Sequence, residues 1–131
     1  MIVIVEYDVP YILELITPVF RERLFEGFCV KVGTLKLQTF KKSIQCACCG
    51  RKGIVFKLEA SSECCAHLNL YSTEGILMCT DHIFPLSKGG PHRLFNTQTM
   101  CEICNREKAD LIQARYFNRE LKRWMYQRSI S

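Results

Sequence analysis

Along residues 54–60 (IVFKLEA) the apolar positions alternate, with Ile54, Phe56, Leu58 and Ala60 on one face and Val55, Lys57 and Glu59 on the other. A period of two predicts a half-buried strand. HLNLY (67–71) and GILMCTDHI (75–83) read as two further strands, joined through Ser72-Thr73-Glu74 with Gly75 at the end of the connection. Nearer the start, IVIVEY (2–7) and FCVKVGTLKLQ (28–38) read as strands, with a short helix around residues 11–26. Gly89-Gly90-Pro91 makes SKGGPHR (87–93) a loop, and LFNTQTM (94–100) leads on from it. From about residue 103 to 127 a helix is predicted. On its wheel Ala109, Ile112, Tyr116, Phe117, Leu121 and Trp124 share one broad side, while Arg115, Arg119, Lys122 and Arg123 cluster on another.

Length and charge narrow this picture. A chain of 131 residues is long enough for one domain with a modest core. Residues 1–40 are expected to form an N-terminal extension, and residues 41–131 the main domain. The apolar opening is interrupted by Glu6, Asp8, Pro10 and Glu14 and lacks a basic start and a small-residue cleavage site, so neither a signal peptide nor a membrane span is expected, and a soluble, cytoplasmic protein is. The net charge is +5, and residues 106–131 alone carry seven basic and three acidic side chains. A basic excess concentrated in the last fifth of the chain suggests a polyanionic partner.

Nine cysteines change the picture more than charge does. The number is odd, several are clustered and no export signal accompanies them, so a disulfide framework is not expected. Two C-x-x-C pairs stand out, Cys46/Cys49 in QCACCGRKG and Cys101/Cys104 in MCEICNREK. Four thiolates suit tetrahedral zinc, and each C-x-x-C turn supplies one edge of the tetrahedron. The first pair is followed by Gly50, Lys52 and Gly53, suited to a knuckle, and the second runs into the predicted helix. A knuckle plus a helix N-terminus is a treble-clef arrangement. Cys48 could replace a neighbour as ligand, whereas Cys29, Cys64, Cys65 and Cys79 are expected to be buried small apolar residues.

Between the pairs lie Asp81 and His82, at the end of a predicted strand and just before Pro85 and the glycines. In order, the chain presents Cys46-x-x-Cys49-Gly50, then Asp81-His82-Ile83-x-Pro85-x-Ser87-x-Gly89-Gly90, then Asn96, then Cys101-x-x-Cys104-Asn105-x-x-Lys108. Over residues 46–108 this joint pattern resembles the HNH endonucleases, in particular the small four-cysteine proteins of that kind found in phages and prophages. The resemblance implies an α+β fold, a ββα-metal (His-Me) finger on a treble-clef four-cysteine zinc site. The small N-terminal α/β extension and the long basic C-terminal helix would be added to it.

Hydrolysis of a phosphodiester needs a base for the attacking water and a hard cation for the charge that develops on phosphate. His82 and Asp81 are residue types for those two tasks. The resemblance implies that His82 is the general base, that Asn96 orients it through a hydrogen bond, and that Asn105 joins Asp81 as a ligand of the catalytic metal. Asn105 stands where relatives carry a terminal His, giving an H-N-N variant whose oxygen-only donors favour Mg2+ or Mn2+. His92 reads as a solvent-exposed loop residue, with a phosphate contact as the alternative. Lys108, Arg115, Arg119, Lys122 and Arg123 are the expected contacts to DNA phosphates.

The function expected is therefore a metal-dependent endonuclease leaving 5′-phosphate and 3′-hydroxyl ends on DNA. It would act in the host cytoplasm if phage-encoded, alone or within a larger phage or nuclease complex. The alternative is a zinc-stabilised nucleic-acid-binding or partner-dependent accessory module.

Overall fold

The computed structural model describes residues 2–19, 21–61, 65–109, 114–118 and 123–127, the last two stretches as backbone. The fold is a mixed α+β arrangement of antiparallel strand sets and short helices. Strand β1 (Ile2–Asp8) runs into helix α1 (Val9–Leu15), which is followed by a hairpin of β2 (Glu22–Phe25) and β3 (Phe28–Lys31) and then helix α2 (Leu35–Lys42). Strands β4 (Gly53–Ala60), β5 (Ala66–Ser72) and β6 (Met78–His82) come next, then β7 (Thr97–Cys101), helix α3 (Glu102–Lys108), and a last pair, β8 (Ala114–Asn118) and β9 (Arg123–Gln127).

Strands β1, β4 and β5 form one antiparallel sheet in that order, so residues from the N-terminal forty pair directly with the centre of the chain. As the period of two requires, Phe56 and Leu58 are fully buried. Ile54, expected beside them, is exposed, and Glu59, expected outside, is buried. Its carboxylate accepts hydrogen bonds from the Asn69 amide (3.0 Å) and the Tyr71 hydroxyl, so burial of the charge is compensated.

Helices α1 and α2 correct the sequence reading at two places. The helix expected over 11–26 stops at Leu15, because Pro18 biases the residue before it away from helical backbone and Glu22–Phe25 pairs with Phe28–Lys31 instead. That hairpin turns on Glu26 and Gly27, both with positive φ (49° and 83°), the geometry of a two-residue type I′ turn. The strand expected over 28–38 ends at Lys31, and its alternation conceals a helix start. The Thr34 hydroxyl accepts from the Leu37 N–H at 3.3 Å as N-cap of α2, and Lys41 and Lys42 sit in the last turn, where cations suit the helix dipole.

One hydrophobic core runs through all of this. Ile12 and Ile16 from the α1 region, Leu37 and Phe40 from α2, Phe56 and Leu58 from β4, Leu68 and Leu70 from β5, and Met78 and Met100 from β6 and β7 belong to a single buried cluster. Phe40 meets Phe56 edge-on, with ring centroids 6.2 Å apart. Helix α2 is fastened to β7 by a buried Thr39–Thr97 hydroxyl pair (2.8 Å) and by the Lys42 ammonium, which donates to the Thr97 and Leu94 carbonyls at 2.8 Å each.

The long C-terminal helix is a larger correction. Helix α3 ends at Lys108, and Ala109 takes φ 48°. Beyond it, Ala114–Asn118 pairs antiparallel with Arg123–Gln127, from Ala114↔Gln127 to Asn118↔Arg123. Tyr116, Phe117 and Trp124 are strand-favouring aromatics, and a wheel drawn through them mistakes two short strands for one helical face.

The core is dense enough that truncation should be costly. Phe56→Ala is expected to lower unfolding free energy by about 3–5 kcal/mol, read from the midpoint of chemical denaturation.

Candidate metal centre and catalytic cleft

The two C-x-x-C pairs converge. One sulfur from each of Cys46, Cys49, Cys101 and Cys104 lies within 4.8 Å of every other. The first pair sits on a tight knuckle: the Cys46 N–H donates to the Arg51 carbonyl (2.7 Å), the Gly50 N–H donates to the Cys46 carbonyl (3.0 Å), and Gly50 takes φ 81°. The second pair opens α3, with the Cys101 sulfur accepting from the Cys104 N–H at 3.4 Å as N-cap. The Ala47 N–H donates to the Thr99 carbonyl (2.8 Å), which ties the knuckle to β7.

The chemistry of this donor set fits zinc. The Cys46 pKa is pushed down to about 4, first by the Cys104 thiol and then by backbone N–H groups of Cys101, Cys49 and Cys48, with burial opposing, while the same pairing raises that of Cys104. The Arg51 guanidinium lies 3.4 Å from the Cys101 sulfur and 3.7 Å from that of Cys49, a cation able to offset the excess negative charge of four thiolates. Cys48 is outside the four-sulfur cluster. Cys29 and Cys65 are exposed and Cys79 is half-buried, so the expectation of buried apolar cysteines fails for the first two. Cys64 lies outside the described residues.

The same helix that carries Cys104, with Cys101 as its cap, borders a second site. Strands β6 and β7 pair antiparallel, with Asp81 opposite Gln98 and His82 opposite Thr97, and α3 follows directly. Asp81, His82, Thr80 and Asn105 line one open cleft of about 270 Å3, closed on another side by Pro85, Leu86 and Ser87. Asp81 is buried and held from two directions. The Gln98 amide donates to Oδ2 at 2.9 Å, and the Lys108 ammonium stands 3.3 Å from Oδ1. Lys108 and Asp81 side chains are 1% and 6% exposed. Burial raises the Asp81 pKa above the usual carboxylate range, while Gln98 and Lys108 pull the other way. His82 is shifted below the ordinary imidazole value, first by burial and then by His92, with Asp81 opposing, which favours the neutral ring a base requires.

Residues 73–121 match the family model described as HNH endonuclease. Over this segment the chain is similar to the HNH endonucleases. No curated protein and no solved structure matches the chain. The HNH segment takes in Asp81, His82, Asn96, Asn105 and the second cysteine pair, and the four-cysteine cluster reaches back to Cys46 and Cys49 ahead of it.

Within the HNH segment several sequence-derived roles need revision. Asn96 is expected from the resemblance to bond the His82 ring. Its buried amide is used instead on the loop: Oδ1 accepts from the Phe84 N–H (2.9 Å), and Nδ2 donates to the carbonyls of Phe84 (3.0 Å) and Pro91 (2.8 Å). A buried amide must satisfy its donors and acceptor, and the two sides of the loop offer them. Lys108, expected to face DNA phosphates, is turned inward; besides Asp81 it meets the His82 carbonyl at 3.0 Å. Arg115 and Arg123 lie on β8 and β9 rather than on a shared helical stripe, and Arg119 and Lys122 lie outside the described residues.

The glycine loop explains the spacing between His82 and Asn96. Gly89 takes φ 87°, and the Gly90 N–H donates to the Pro85 carbonyl at 2.9 Å. A Cβ on Gly90 would collide with the Phe84 carbonyl oxygen, so only glycine allows the loop to close on the strand exit.

Gln98 is missed by the sequence reading. Its signal is the strand hidden in LFNTQTM: once 97–101 is read as a strand paired with 78–82, Gln98 falls opposite Asp81.

An Asp81/Asn105 cation site passes a test against the structure. Among the described residues the Thr80 hydroxyl oxygen is buried without a hydrogen-bond partner, and it belongs to a cleft-lining residue. Asp81 oxygens keep lone pairs beyond those facing Gln98 and Lys108. Asn105 lines the same cleft, and its side-chain amide carries an oxygen of the kind a hard cation takes as ligand. Such an oxygen set suits a hard divalent ion that keeps much of its water.

Two outcomes follow. Gly90→Ala is expected to lower stability by about 1–3 kcal/mol in chemical denaturation. Removal of zinc by a strong chelator, or Cys46→Ser, is expected to lower the thermal midpoint and broaden the transition, measured by calorimetry against metal content.

Proposed function

We propose that the protein is an HNH endonuclease that hydrolyses DNA phosphodiester bonds, with His82 activating the water. The HNH segment implies a nucleic acid as substrate. The observation that carries the finer reading is the meeting of Asp81, His82 and Asn105 at one cleft, although they come from a strand and a separate helix. We read β6, β7 and α3 as the ββα-metal unit, with the four-cysteine site fixing the start of its helix.

In this reading a phosphate enters the open cleft and His82 takes the proton of a water aligned opposite the departing 3′-oxygen. The water O–H bond breaks and a bond to phosphorus forms as the P–O3′ bond breaks; the departing 3′-oxygen takes a proton from solvent, so the products carry a 5′-phosphate and a 3′-hydroxyl. Asp81 and Asn105 would hold Mg2+ or Mn2+, which supplies charge stabilisation for the phosphate oxygens and leaving group. Asp81 is presented by Gln98 and Lys108, so its carboxylate is oriented before any ligand arrives. Arg115 and Arg123, with Arg119 and Lys122, remain the proposed source of salt-sensitive backbone affinity, now assigned to the strand-bearing C-terminal region. No described helix is long and apolar enough to cross a membrane.

The test is cleavage of supercoiled plasmid by the zinc-loaded protein. Nicking or linearisation is expected with Mg2+ or Mn2+, absent with EDTA, and reduced by about 100-fold or more in His82→Ala. Absence of cleavage by folded, zinc-loaded protein under every metal would contradict an autonomous nuclease and favour the accessory-module reading.

A further inference from the structure

We propose that His92 is a positioning residue for His82, fixing its tautomer so that Nδ1 carries the lone pair that accepts the water proton; this rests on the reading of His82 as the general base.

The His82 Nε2 atom lies 2.9 Å from His92 Nδ1, with ring centroids 5.1 Å apart. Between two neutral imidazoles one nitrogen must donate and the other accept. If His92 donated, its proton would occupy the His82 Nε2 lone pair and leave His82 protonated at Nδ1, with no free basic nitrogen. If His82 donates from Nε2, its Nδ1 is unprotonated and available. An exposed imidazole ordinarily carries its proton on Nε2, which leaves His92 Nδ1 as the acceptor. Only this arrangement lets the contact persist while His82 acts as base.

The loop is built to hold the acceptor in place. Pro91, with its fixed φ, precedes His92, and its carbonyl accepts from Asn96 Nδ2 at 2.8 Å. The same Asn96 amide grips both polar groups of the Phe84 backbone, two residues after His82. One buried amide therefore sets the distance between the two segments that carry the imidazoles. Orientation of His82 by Asn96, which sequence resemblance places in a direct hydrogen bond, is achieved through the loop and His92.

The proton balance is simple. The water proton moves to His82 Nδ1 as the oxygen–phosphorus bond forms. His82 then carries protons on both nitrogens, and its Nε2–H bond to His92 becomes charge-assisted and stronger. The contact thus holds the ring in one orientation before and after the proton arrives.

The experiment has two arms on the full-length, zinc-loaded protein. Nitrogen-15 NMR of the imidazoles at neutral pH, without DNA, reads the His82 tautomer directly. The Nε2–H form is expected to be essentially the sole tautomer in the wild type and to relax in His92→Ala to the mixture of a free imidazole, with the Nδ1–H form becoming detectable. In plasmid cleavage, His92→Ala is expected to lower kcat by about 10- to 100-fold with KM little changed, and His92→Asn, whose amide oxygen can accept the same bond, to recover most of it. An unchanged His82 tautomer in His92→Ala overturns the proposal. So does a rise in KM with kcat intact, which would make His92 a phosphate contact. The tautomer arm needs no activity, so an inactive protein would count against the nuclease reading without obscuring this one.

Discussion

Four sulfurs held within 4.8 Å of one another impose the constraint on which the remaining geometry depends. The pairs that supply them are separated by 51 residues, so everything from β4 to β7 must be threaded out and back before the cluster can form. Closing so long a loop is entropically costly, and a metal bound by all four thiolates offsets that cost in the folded state alone. The closure also fixes the first turn of α3. Because Cys104 and Asn105 are consecutive on that helix, anchoring the sulfur sets where the Asn105 amide lies against β6. The four-cysteine site and the cleft at Asp81 are two consequences of one helix start.

Charge inside the cleft is handled differently. Asp81 would be strongly disfavoured as a lone buried carboxylate, and Lys108, three residues beyond Asn105, reaches back to neutralise it. A buried ion pair of this kind contributes little net stability, since desolvation of both partners opposes their attraction. Its value lies in orientation: with Gln98 on one oxygen and Lys108 near the other, the carboxylate has one arrangement. The same ammonium bonds the His82 carbonyl, so the last turn of α3 also holds the end of β6. The loop beyond that strand end is closed by the Asn96 amide and by a glycine whose position admits no Cβ. The proposed metal ligand, the proposed base and the loop are thus connected through a short chain of side chains.

Much of this is legible in the sequence because it rests on spacing. C-x-x-C pairs announce a shared metal whatever lies between them, and the period of two in residues 54–60 and 67–71 marks β4 and β5. Asp81, His82 and Asn105 stand out as candidates by their order relative to those pairs, and they line one cleft. The failures have physical causes. The strand Thr97–Cys101 is buried at every residue and largely polar, so it shows no alternation, and without it the pairing of Gln98 with Asp81 is invisible. Lys108 reads as a surface cation because burial of a lysine depends on a carboxylate that is distant in sequence. The aromatic residues of 114–127 satisfy helical and strand patterns alike, and the pairing of Ala114–Asn118 with Arg123–Gln127 decides between them. For Asn96, spacing cannot tell a bond to a ring from a bond to the loop beside it, and the structure shows the second.

The central claim is that one cleft joins His82, the proposed base, to a proposed oxygen-lined cation site formed by Asp81 and Asn105. Titration of Mn2+ into nitrogen-15-labelled, zinc-loaded protein tests it most directly, because the paramagnetic ion broadens only the signals near it. The account predicts that the Asn105 side-chain amide and the backbone amides of residues 80–82 broaden first, and that Asp81→Asn abolishes the effect while the fold persists. Broadening centred elsewhere, or none in the cleft at any Mn2+ concentration that the fold tolerates, would contradict it.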